Sequence, residues 1–105
     1  MDKKLKAKWL NALRSGKYKQ GDAQLCDLEG RFCCLGVLAL IQGCPADAIT
    51  GAVTSTLPRG YNAGLSNRDR SKLAAMNDGS WEPKSRTMYE HHTFKKIADH
   101  IEANL

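Results

Sequence analysis

The long apolar run of the chain, Arg31-Phe32-Cys33-Cys34-Leu35-Gly36-Val37-Leu38-Ala39-Leu40-Ile41, carries a single charge, at its start. A run with no polar gaps at period 2 or 3.6 has no face to offer water, so burial on all sides is predicted. Arg31–Cys33 reads as the end of a strand. Cys34–Ile41 reads as a fully buried helix, with Gly43 as a left-handed stop and Pro45 barring continuation. A buried strand over the whole run is the rival reading, but the run is longer than a typical strand and holds Gly36, Ala39 and leucines.

The other elements are predicted around this helix. Leu5, Trp9, Ala12 and Leu13 recur at helical spacing, widened by Leu10, so a helix runs from Lys3 to about Ser15, capped by Asp2 and ended by Gly16. Gln24–Asp27 and Arg31–Cys33 form a small hairpin about the turn Asp27-Leu28-Glu29-Gly30. After Pro45, Ala46–Ile49 gives one helical turn, and Val53–Leu57 is a short strand or loop. Pro58-Arg59-Gly60 and Asn62-Ala63-Gly64 are turn chemistry. Ser66 or Asn67 caps a third helix reaching about Asn77, with Ser66 and Asp69 set as in a capping box. Trp81–His92 is polar and irregular, with Pro83 inside it. Thr93 caps a last helix whose apolar positions, Phe94, Ile97, Ala98, Ile101 and Leu105, share one face. The expected fold is α+β: about four helices with a small β-hairpin around the central helix Cys34–Ile41, in one domain over residues 1–105.

The totals narrow the function classes. At 105 residues a domain hides roughly two-thirds of its unfolded surface, enough for one core without metal or disulfides. No apolar stretch approaches the ~20 residues of a membrane span, and Lys6 and Lys8 interrupt any signal-peptide core. Four cysteines without an export signal point to reduced thiols in a cytoplasm. The net charge of +5 sits mostly at one end: residues 1–20 hold seven Lys or Arg against one Asp. Lys3, Lys4 and Lys8 are expected opposite the apolar face, with Lys6 at its flank. Together with Arg14, Lys17 and Lys19 they form a candidate basic binding face. The bland alternative is a solvated helix face. Lysines in the first turn oppose the helix dipole, which points to a use other than stability.

No cofactor, metal set or catalytic residue is assigned. Cys26, Cys33, Cys34 and Cys44 lack the C-x2-C spacing of a tetrahedral site, and His91, His92 and His100 lie far along the chain. Buried structural cysteines are the expectation. A sharper alternative sets Cys34 at a helix N-terminus as a nucleophile with a histidine base. Leu73–Gly79 followed by Thr93–Ala98 echoes a DNA-binding helix-turn-helix. A long segment stands where the tight turn belongs, and no recognition helix follows, so Phe94–Leu105 is expected to pack instead. No P-loop, G-x-G-x-x-G, H-E-x-x-H, G-x-S-x-G or EF-hand loop occurs. Trp9, Tyr18, Tyr61, Trp81 and Tyr89 are scattered rather than interleaved with basic residues.

Three segments together carry a resemblance: Trp9-Leu10-Asn11-Ala12-Leu13-Arg14-Ser15-Gly16-Lys17-Tyr18-Lys19-Gln20, then Gly30–Leu38, then Leu73–Asp78 with Thr93-Phe94 and Ile97–Glu102. The chain resembles short uncharacterised proteins encoded by phages and prophages. Ser80–His92 departs from that pattern as an insertion, and Ala39-Leu40-Ile41 is more apolar than usual in it. The resemblance implies a phage-type accessory protein that binds and blocks a host macromolecule, an anti-defence inhibitor such as an anti-CRISPR among them. The leading expectation is therefore a non-enzymatic protein with a host protein or complex as partner, in the host cytoplasm and away from membranes. The alternatives are a nucleic-acid-binding accessory protein using the basic helix, and a cysteine enzyme or metal-binding module.

Overall fold

The computed structural model describes residues 1–54 and 57–105, so the segment expected as strand or loop at Val53–Leu57 lies partly outside the described residues. Helix α1 spans Lys3–Arg14, and the Asp2 carboxylate accepts the Leu5 N–H at 2.8 Å. That bond satisfies one of the donors a helix start leaves open. Trp9, Leu10 and Leu13 are buried on its inner face, while Leu5 is half-buried.

Helix α2 spans Cys34–Ile41, and Cys34 through Ala39 are all buried. Cys33 caps it: its sulfur accepts the Gly36 N–H at 3.3 Å. The other end is closed by Gln42, whose side-chain amide donates to Leu38 O at 3.0 Å and Tyr61 O at 2.6 Å. Gly36 is required by a close crossing. A Cβ there would lie 1.9 Å from the carbonyl oxygen of Leu25, so only a residue without a side chain lets α2 pass that strand-like segment.

The turn Asp27–Gly30 forms as expected. The Asp27 carboxylate accepts Glu29 N–H and Arg31 N–H, each at 2.9 Å, and the Arg31 Nε–H at 2.7 Å. The hairpin predicted around it is reduced to one antiparallel bridge, Cys26 to Phe32. The returning strand has no room to continue, because Cys33 is already the cap of α2. Gln24 and Cys26 make single bridges to Val53 and Thr50 instead. Ala46–Ala48 is a short 3-10 turn after Pro45.

Helix α3 spans Asn67–Asp78 between the Ser66 cap, whose hydroxyl accepts Asp69 N–H at 3.0 Å, and the left-handed Gly79. The paired hairpin comes next, in the segment expected to be irregular. Strands β1, Trp81–Glu82, and β2, Thr87–Met88, pair antiparallel with Trp81 opposite Met88. Helix α4 spans Phe94–Asn104, capped by Thr93, and buries Phe94, Ile97, Ala98 and Ile101. α1 packs on α4 and α2, α2 on α3, and α3 on α4 and β1. The architecture is α+β, four helices and a two-stranded hairpin, with Leu35, Val37 and Leu38 at the centre of one core. Ile41, expected inside, is half-buried because α2 is leaving the core there. Among the described residues no helix is long and apolar enough to cross a membrane.

Candidate functional site

The basic segment divides into two sets. Lys6 and Arg14 lie on the side of α1 that meets α4. The Lys6 ammonium donates to Glu102 O at 3.2 Å, and the Arg14 guanidinium reaches Asp99 at 2.8 Å and Glu102 at 3.1 Å. Those two carboxylates raise the Arg14 pKa further through their hydrogen bonds. Lys6 and Arg14 therefore join helices rather than extend outward. Lys3, Lys4, Lys8, Lys17 and Lys19 are exposed. Among the described residues none of these five enters an ion pair. Lys17 stands 5.5 Å from the Tyr18 ring centre, a cation–π contact.

A cleft of about 490 Å³ adjoins this segment, between the end of α1 and the start of α4. Leu13, Tyr18 and Phe94 give it apolar walls, and Arg14 and Lys95 stand at its edge. Tyr18 is held edge-on to Phe32, with ring centres 5.8 Å apart. Gln20, deeper in, is fully used: its amide nitrogen donates to His92 O at 2.7 Å and Asn77 Oδ1 at 3.0 Å, and its oxygen accepts Phe94 N–H at 2.9 Å.

Gln20 leads into a buried polar knot that joins five parts of the chain. The Asn77 side chain is fully buried. Its oxygen accepts from Gln20 and from Cys34 N–H at 3.2 Å, and its nitrogen donates to Gly21 O at 2.8 Å and Asp78 Oδ1 at 3.1 Å. Asp78 in turn accepts Ala23 N–H at 2.9 Å and the Thr54 hydroxyl at 3.1 Å. Ala23 has φ +65°, a conformation costly to a residue with a side chain. Asp78 and Thr54 N–H, which donates to Ala23 O at 3.2 Å, hold it there. Every group in the knot is matched by another, which fits scaffolding rather than chemistry.

The cysteines are all free and buried. Burial pushes the Cys33 thiol up to about 12 and the Cys34 thiol well above its usual value. A thiol held neutral and out of water is not the activated nucleophile that a Cys/His dyad needs. His92 Nδ1 lies 2.6 Å from Glu90 O. Among the described residues no three of His, Cys, Asp and Glu converge as a metal-ligand set.

Sequence reasoning passed over the far side of α3. Trp81 and Met88, 54% and 65% exposed, form an apolar pair on the hairpin. Arg70 and Lys84 line a small cavity that shares Ser71 with the cavity Trp81 lines. The signal was present as Arg68-Asp69-Arg70-Ser71-Lys72 and Lys84-Ser85-Arg86 around Trp81, but only the hairpin brings its turn against α3.

A family described as a domain of unknown function (DUF8296) matches residues 1–47. The match covers α1, the basic connection and α2, less than half of the chain. No curated protein and no solved structure matches the chain.

Proposed function

We propose that the chain is a non-enzymatic binding protein that docks Lys3, Lys4, Lys8, Lys17 and Lys19 onto an acidic surface of a partner protein. One observation carries this reading: these five lysines are exposed and lack an ion pair among the described residues, while Arg14 and Arg31 are paired within the chain. The first-turn lysines of α1 oppose its dipole, a cost of a few tenths of a kcal/mol each, roughly. The neighbouring cleft, with Leu13, Tyr18 and Phe94 as walls, suits an apolar anchor side chain from the same partner. Charge then speeds the encounter and the cleft slows release.

The phage-type setting rests on the resemblance of the three sequence segments alone. In that setting the partner belongs to the host, the compartment is the host cytoplasm, and blocking a defence component is the corresponding activity. The test is capture from host lysate with and without nuclease. The reading expects a partner that survives nuclease, elutes as salt rises, and is not captured by a Lys3→Gln, Lys4→Gln, Lys8→Gln variant. A partner lost on nuclease treatment, and also lost by the Lys3→Gln, Lys4→Gln, Lys8→Gln variant, transfers the basic face to nucleic acid.

A further inference from the structure

Two cavities share one residue on the side of α3 that faces the hairpin. The larger, about 310 Å³, is lined by Trp81, Ala74, Ala75 and Ser71, with Val53 and Asp78 among its other walls. The smaller, about 190 Å³, is lined by Asn67, Arg70, Ser71 and Lys84. Ser71 belongs to both, so a slot of mixed polar and apolar lining with an indole wall adjoins a pocket with two cations. The residues of each lie about one helical turn, ~5 Å, apart along α3.

The negative groups here are already engaged. Glu82 is covered by the hairpin, and its carboxylate accepts the Ser71 hydroxyl at 2.5 Å and the N–H groups of Lys84 and Ser85 at 3.0 and 2.8 Å. Asp78 is taken up by Ala23, Asn77 and Thr54. The cations are not used in the same way. Arg70 gives one terminal nitrogen to Asn67, but its Nε is shut away from water with no hydrogen-bond partner. A guanidinium N–H in that position lacks an acceptor. Among the described residues neither Arg70 nor Lys84 has an ion pair.

We infer that this surface binds single-stranded nucleic acid, with a base stacked on Trp81 and the neighbouring phosphate between Arg70 and Lys84. An indole that is half-exposed beside a slot offers a flat face to any base, whatever its identity. The guanidinium fork and the ammonium suit a phosphate oxygen. A duplex keeps its base faces stacked and cannot use the slot. The surface does not involve the α1 lysines.

The test is a fluorescence titration of the intact chain, in which Trp81 is exposed and Trp9 is a buried background. Single-stranded oligothymidylate is expected to quench the emission saturably, and Trp81→Phe to abolish the change while the Trp9 signal persists. Lys84→Gln, at an exposed turn position, is expected to weaken binding several-fold. Lys84→Gln with Arg70→Gln is expected to flatten the log-affinity against log-salt slope by about 0.7, the value for one lost single-strand phosphate contact. Duplex of the same sequence, thymidine monophosphate and polyglutamate are expected to bind more weakly. Absence of saturable quenching, an unchanged slope in the double variant, or equal binding of any of those three probes overturns the inference.

Discussion

Replacing Asn77 with alanine removes the centre of the polar knot, and its cost follows from what is left behind. The Cys34 amide and the Gly21 carbonyl both lose a partner. Gln20 keeps its bonds to His92 and Phe94. A buried polar group left unmatched costs about 1–3 kcal/mol, so two give about 2–6. Cys34 is fully buried, whereas Gly21 is half-exposed and water can reach it, which places the loss at about 2–4 kcal/mol. That is a large part of the roughly 5–15 kcal/mol that holds a typical domain together. Urea denaturation read by circular dichroism measures it, with the midpoint falling and the slope unchanged. A loss below about 1 kcal/mol refutes the reasoning, because the first amide of α2 would then be satisfied without Asn77.

Other consequences are as specific. Gly36→Ala puts a methyl group 1.9 Å from Leu25 O; the variant is expected to lose about 4 kcal/mol or more, or not to fold, and near-wild-type melting contradicts the crossing. Leu38→Ala empties a fully buried site and should cost about 2–5 kcal/mol by denaturation, less than about half a kcal/mol placing the helix at a surface. The Ser71 hydroxyl, with the Lys84 and Ser85 amides, holds the Glu82 carboxyl down at about 2, against 4.5 ordinarily. A depressed carboxyl stabilises the fold above its unfolded pKa, and that contribution fades as pH falls from about 4.5 to about 2. Glu82→Gln is expected to flatten the acid limb of a melting-temperature profile in that window, and an unchanged limb refutes the assignment.

The helices were legible because each has a cap and a periodic face or an unbroken apolar run. Asp2, Ser66 and Thr93 all accept the predicted kind of bond. α2 was readable from the absence of polar gaps alone. The strands were not, since two-residue strands are too short to show alternation. The real hairpin is organised by one carboxylate, Glu82, folding back on Lys84 and Ser85. The predicted hairpin shrank to one bridge because Cys33 serves as a helix cap, a role for which sulfur gives little sequence signal. The basic face was legible as composition. Its division was not, since α4 claims Lys6 and Arg14 through Asp99 and Glu102, 85 or more positions away. The polar knot was invisible for the same reason: Gln20, Asn77 and His92 are ordinary residues until the fold brings them together.

The central claim concerns what the unpaired lysines of α1 meet, and association kinetics test it most directly. The captured partner is measured against the wild-type chain and the Lys3→Gln, Lys4→Gln, Lys8→Gln variant, at low and at physiological salt. Docking on an acidic protein surface predicts slower association in the variant, with the gap widest at low salt and dissociation little changed. Equal association at both salts contradicts the claim. So does wild-type binding to duplex DNA or RNA tighter than about micromolar at physiological salt, beyond ordinary non-specific affinity.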